Sequence, residues 1–169
     1  MYIIKIITFF TIAHTITLSL AALKIIIIPG WIVESVIALS IGLAALHNIT
    51  PLFKGKDWVI AFVFGLFHGF GFASVLGDLG LTDEFLVYSL LGFNVGVELG
   101  QLLIIACVFP VLYFIRKSKL YPKVIIIGSI FLIIASIYWM IERVFDVDLG
   151  LEWAIKSWLN DLAVSWGLK

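Results

Sequence analysis

Apolar residues in this chain come in long blocks separated by short polar breaks. They show neither the alternation of a half-buried strand nor the single stripe of a helix lying on a soluble core. A helix that crosses a hydrocarbon core of about 30 Å needs roughly 20 mostly apolar residues. Five blocks meet that length, near 4–23, 31–50, 58–77, 86–115 and 123–142. The breaks between them, "KIIIIPG", "TPLFKGKD", "GDLGLTDE" and "RKSKLYPK", collect the prolines, glycines and charges that end apolar helices. The fourth block is too long for one upright helix and predicts a tilted span or a late start. Past residue 145 the pattern changes. Leu151, Ile155, Trp158, Leu162 and Trp166 recur at helical spacing while Glu152, Lys156, Asn160 and Asp161 take other faces, which predicts an amphipathic helix at the headgroup boundary. The expected fold class is an all-α polytopic membrane protein: a bundle of about five transmembrane helices over residues 1–145, then a C-terminal amphipathic interfacial helix over 146–169.

Composition agrees with the pattern. Of 169 residues, 63% are hydrophobic and 13% charged, and the mean hydropathy is +1.18, which leaves too little polar surface for a water-facing globule. Eleven basic and eleven acidic side chains cancel, so there is no electrostatic footprint for nucleic acid. The lone Cys107 lies in an apolar run and has no partner for an internal disulfide. No zinc-type cysteine pair, phosphate-binding glycine loop or nucleophile elbow occurs. The first block has the leading lysine and "SLAAL" ending of a signal peptide, but it is longer than a usual signal core and contains Thr11, His14, Thr15 and Thr17, so it reads as a true span. Lys5, Lys54, Lys56, Arg116, Lys117, Lys119 and Lys123 fall on one side of the membrane. Lys24 and Arg143 fall on the other, with Lys156 and Lys169 beyond. The excess of basic residues assigns the first side and the N-terminus to the cytoplasm, with the C-terminus and the loop carrying Asp78, Asp83 and Glu84 outside.

Ionisable groups inside a span cost roughly 2.5–3.5 kcal/mol at a helix centre, so each one asks for a reason. His14 lies midway along the first block and shares its stripe with Thr11, Thr15 and Leu18; His68 lies near the middle of the third. In the fourth, Asn94, Glu98 and Gln101 occur at i, i+4 and i+7 and form one polar face. At about 1.5 Å per residue, His14, His68 and Glu98 reach the same depth. Two imidazoles and a carboxylate suit a borderline divalent ion such as nickel, cobalt or zinc; Asn94 and Gln101 would orient those ligands or add an oxygen. The competing reading makes each histidine an interhelical hydrogen-bond donor that holds the bundle together. Glu34 is near the outer end of the second block, where it would line an inlet or simply reach the interface, and His47 approaches the cytoplasmic end as a solvated terminus or an exit ligand. Ser40 faces the bundle or bonds within its own helix. Gly65 and Gly69, with Gly92, Gly96 and Gly100, form four-residue small spacings that predict close packing of the third span against the fourth.

Four ordered stretches, "FTIAHTITLSLAAL" (10–23), "VESVIALSI" (33–41), "FGLFHGFGFASVL" (64–76) and "FNVGVELGQL" (93–102), closely resemble the HupE/UreJ family of bacterial membrane proteins, and "YWMIERV" (138–144) is similar to that family's final span. The resemblance covers roughly residues 8–145. It implies an α-helical protein of the bacterial inner membrane associated with nickel or cobalt supply to hydrogenase and urease, and its polar motif residues fall on His14, Glu34, His68, Asn94, Glu98 and Gln101. Family members usually have a further preceding span with a histidine-rich Gly-x-Asp-His motif. This chain begins just after that point, so the expectation is a fragment or a shortened member whose partners include a missing upstream span or domain, or further copies of itself.

Together these readings give a membrane protein that binds or transports a divalent transition metal, a permease rather than an enzyme. Glu34 would guide ions inward, and His14, His68 and Glu98 would bind them at mid-membrane. Two alternatives use the same residues differently. An intramembrane metal-dependent hydrolase would activate water at the open coordination position with Glu98 or Glu34 as base. A non-catalytic scaffold subunit would use the glycine stripes and the terminal helix for partner contacts.

Overall fold

With no water in the bilayer core to satisfy backbone N–H and C=O groups, apolar blocks of this length must fold as helices. The computed structural model describes residues 2–78 and 83–166; the side chains within 73–84, at 86 and 87 and at 151 and 152 lie outside the described residues, and with them those of Asp78, Asp83 and Glu84. The regular elements of the described chain are all helices, with no strand: α1 (Tyr2–Ala22), α2 (Gly30–Ile49), α3 (Asp57–Asp78), α4 (Asp83–Ile115), α5 (Leu120–Phe145) and α6 (Leu151–Ser165). Four of these, α1, α2, α4 from Tyr88 and α5, are long and apolar enough to cross a membrane, while α3 has a shorter described apolar stretch, Asp57–Phe72. At 33 residues α4 is the long helix that the fourth block required, and it runs through Pro110, which withdraws one backbone donor from its ladder.

Helices next to each other in sequence are not the main neighbours in space. The most extensive packing joins α1 to α3 and α2 to α5; a smaller seam joins α2 to α3, α4 lies against α1, and α4 meets α5 only marginally. The α1–α3 seam is explained by glycine. A Cβ at Gly65 would stand 2.5 Å from the Phe10 carbonyl oxygen and 2.9 Å from Ala13 Cβ. One at Gly69 would stand 2.8 Å from the Leu18 nitrogen and closer still to His14 O and Thr17 Oγ1. The α2–α5 seam works the same way around Gly42, where a Cβ would lie 2.5 Å from Ser136 Oγ. Ser136 is buried there and donates to the Ala38 carbonyl at 2.8 Å.

This corrects the expected pairing of the third and fourth spans. The close partner of Gly65 and Gly69 is α1, whose small and polar residues Ala13 and Thr17 admit the backbone of α3. No backbone-level packing joins α3 to α4 among the described residues; the two meet through the rings of Phe72 and Phe93, with centroids 5.5 Å apart. Gly92, Gly96 and Gly100 face open space, with nothing within 4 Å of a built Cβ. Spacing alone identified close-packing glycines on α3 but could not say which helix they meet.

Two turns shape the ends. Between α2 and α3, Gly55 takes φ +75°, a left-handed turn that a side chain would strain. After α5, Asp146 caps the helix in the left-handed region and its N–H bonds to Glu142 O, while Gly150 at φ 73° starts α6. Helix α6 packs against none of the other helices among the described residues, and Trp153, Trp158 and Trp166 are exposed along it.

Candidate metal centre

The two histidines at membrane depth are drawn to one place by the α1–α3 seam. His14 is fully enclosed, 1% exposed. Its imidazole lies in an aromatic box: it stacks on Phe10 (centroids 6.1 Å apart) and Phe93 (6.4 Å), and meets Phe72 edge-on at 5.6 Å. His68 meets the same Phe10 ring edge-on at 5.3 Å, so one phenylalanine touches both imidazoles.

The hydrogen bonding of the two rings differs. Neither Nδ1 nor Nε2 of His14 has a partner, although both are buried. A buried polar group without a hydrogen bond costs about 1–3 kcal/mol, so a partnerless imidazole at the centre of the bundle asks for a ligand. His68 Nε2 lies 3.1 Å from Ser40 Oγ, which itself donates to Ile37 O at 2.7 Å. With its proton on that carbonyl, Ser40 accepts from Nε2–H, and the lone pair of His68 is left on Nδ1. Ser40 is buried and reaches out of α2 to the third helix, so it serves both its own helix and the bundle.

Around His14, α4 supplies the amides. Thr15 Oγ1 donates to Asn94 Oδ1 at 2.8 Å, Asn94 Nδ2 donates to Leu90 O at 2.8 Å, and Thr11 Oγ1 lies 3.4 Å from Gln101 Oε1. Asn94 and Gln101 thus engage the threonines that precede and follow His14 in α1, on the stripe predicted for it. Glu98 does not join them. It projects from the exposed flank of α4, and no group of three His, Cys, Asp or Glu side chains placed to hold a metal occurs among the described residues. The i, i+4, i+7 spacing put all three polar residues on one face, but about 60° of helical arc separates Glu98 from Gln101, enough to leave the carboxylate outside while both amides face α1.

Glu34 and His47 stand at opposite ends of α2. Glu34 pairs with Arg143 of α5, with Oε2 2.7 Å from Nε. It lines a groove of about 410 Å³ together with Ile37, His68, Gly71, Phe72 and Trp139. It also lines a cleft of about 280 Å³ beside Lys24, Val33 and Phe70, at the end of the bundle where α2 begins. Two spaces, one opening at the helix ends and one reaching His68, therefore share the Glu34 carboxylate. His47, in contrast, has both nitrogens engaged. Its Nδ1 accepts from the backbone N–H of Leu52 (3.0 Å) and Phe53 (3.3 Å), and Nε2 faces Asp57 at 2.9 Å. The Tyr2 hydroxyl donates to the same carboxylate. His47 fastens the α2–α3 turn to the start of α3, and Asp57 links both to Tyr2 of α1.

A family model described as HupE / UreJ protein matches residues 1–143. The chain belongs to the HupE/UreJ family. Membership extends over α1 to α5, including both histidines, the α4 amides and the Glu34–Arg143 pair. No curated protein and no solved structure matches the chain. HupE/UreJ proteins are membrane proteins linked to nickel and cobalt handling, and a membrane role connected with metal fits this chain. The sequence pointed to His14, His68, Asn94 and Gln101, which the helices do bring to one region. The aromatic box is not written in any one stretch: only the crossing of three helices gathers Phe10, Phe72 and Phe93 around His14.

Proposed function

We propose that this HupE/UreJ protein carries a divalent transition metal, nickel or cobalt, across or into the bacterial inner membrane, with the ion as cargo. His14 and His68 are its mid-membrane nitrogen ligands, and Glu34 is the carboxylate that receives it. The observation that carries the reading is His14: a buried imidazole with two unpartnered nitrogens in an aromatic box. Structural glue would require a hydrogen bond, and neither His14 nitrogen makes one. His68 supports the reading because Ser40 holds one nitrogen and leaves the other its lone pair. Oxygen ligands are near in the side chains of Asn94 and Gln101. In this proposal the charge pattern sets the orientation, with the N-terminus cytoplasmic and Glu34 on the external side.

The test is elemental analysis of the purified, detergent-solubilised protein after exposure to nickel, cobalt and zinc, beside single alanine variants of His14, His68 and Glu98. Bound metal is expected in the wild type and lost in both histidine variants. Glu98→Ala, on the outer flank of α4, is expected to keep its metal; loss there would bring α4's carboxylate into the ligand set. Unchanged metal content in both His14→Ala and His68→Ala would refute the proposal.

A further inference from the structure

Among the described residues, Arg143 is the basic side chain that pairs with Glu34, the residue shared by the cleft at the helix ends and the groove that reaches His68. The contact has the features of a releasable pair. It runs from Nε to Oε2 of Glu34 at 2.7 Å. Both side chains are partly open, Arg143 46% and Glu34 34% exposed, so water and salt compete for each.

A second seat for the guanidinium lies close by. Arg143 lines a polar pocket of about 350 Å³ with Glu142, Asp146 and Asp148. Glu142 is committed to Tyr138 and to the Leu149 N–H, and Asp148 to the Gly150 N–H, which leaves Asp146 as the carboxylate of this turn with the fewest obligations. Among the described residues, the other charged side chain lining the cleft is Lys24, a cation that cannot replace a carboxylate for an incoming ion.

We propose that Arg143 is a tethered competitor for the cargo ion: its guanidinium occupies Glu34 in the ion-free protein, is displaced by an arriving divalent cation, and moves to the Asp146 side of the same pocket. The inference rests on the metal reading above and names the residue that sets affinity and selectivity at its inlet. Monovalent cations, which bind a single carboxylate weakly, would not displace the guanidinium, and a divalent ion would.

The experiment is a nickel titration of the full-length protein in detergent at fixed ionic strength, for the wild type and for Arg143→Gln, Glu34→Gln and Asp146→Asn. When a binding-competent state is only fractionally populated, apparent affinity falls by that fraction. Removing the competitor should therefore tighten binding by roughly three- to tenfold and reduce the discrimination against sodium and potassium. Glu34→Gln should weaken binding. Asp146→Asn, which keeps a residue tolerant of the left-handed cap, removes the second seat and should also weaken binding, and this arm stands on its own should Arg143→Gln fail to fold. Weaker nickel binding in Arg143→Gln would make Arg143 a support for Glu34 and overturn the proposal, as would an unchanged affinity in both Arg143→Gln and Asp146→Asn. If nickel binding is lost in His68→Ala but indifferent to residues 143 and 146, only this inference falls; a wild type that binds no divalent ion removes it together with the metal reading.

Discussion

Replacing Gly69 by alanine tests the seam on which the candidate site depends. The added methyl would enter a space bounded by His14 O, Thr17 Oγ1 and, at 2.8 Å, the Leu18 nitrogen. Ordinary carbon contacts need about 3.5–4.0 Å, and two of these three neighbours are backbone, so no rotamer change relieves the clash. The helices must separate by about an ångström, at an overpacking cost of about 1–3 kcal/mol. Part of this is offset by the roughly 1 kcal/mol that alanine gains over glycine in a helix. Gly96→Ala is the matched control: the same substitution in a helix, with nothing within 4 Å of the new carbon, so only the favourable term applies. Reversible unfolding in mixed micelles, followed by tryptophan fluorescence, should find Gly69→Ala less stable than Gly96→Ala by about 1–3 kcal/mol. Gly69→Ala should also bind less metal, because pushing α1 away from α3 parts His14 from His68. Equal unfolding midpoints for the two variants would refute the close α1–α3 contact and the argument built on it.

Two further outcomes follow from single side chains. His14→Leu replaces an unpartnered buried imidazole by an apolar group of similar size, so it should raise stability by about 1–3 kcal/mol while abolishing metal binding; a destabilised variant would mean that His14 has a hydrogen-bond partner after all. Asp57→Ala frees His47 from its orientation and loosens its hold on the Leu52 and Phe53 N–H groups. Hydrogen exchange at those two amides should then quicken by roughly three- to tenfold, the equivalent of a hydrogen bond worth about 1 kcal/mol, and unchanged exchange would count against the latch.

The sequence revealed the class of fold more readily than its interior. Block length and the cost of bare backbone in lipid leave helices as the only option, so the all-helical membrane architecture and the amphipathic terminal helix were readable in advance. Which helices touch was not, because a small-residue spacing marks a surface that accepts close approach without naming its partner; Gly65 and Gly69 of α3 meet α1, and those of α4 meet nothing within the described chain. The candidate site was legible where periodicity and depth suffice, as for His14 with Thr11 and Thr15. It was not where rotation decides, as for Glu98, or where the partner is remote in sequence, as for Glu34 and Arg143, 109 positions apart. His47 had the composition of a ligand, but the backbone of the following turn engages one nitrogen and Asp57 the other.

The two glycine seams also have a mechanical consequence. Helices packed this closely cannot slide without breaking many contacts at once, so α1 with α3 and α2 with α5 would each move as a stiff plank. Compliance is left to the thinner junction between the planks, where Ser40 of one reaches His68 of the other. A rocking motion about that junction would change the Ser40–His68 distance directly. The hinge and the proposed ion-binding histidine would then be the same place, and a small tilt at one would be felt directly as a change of ligand geometry at the other.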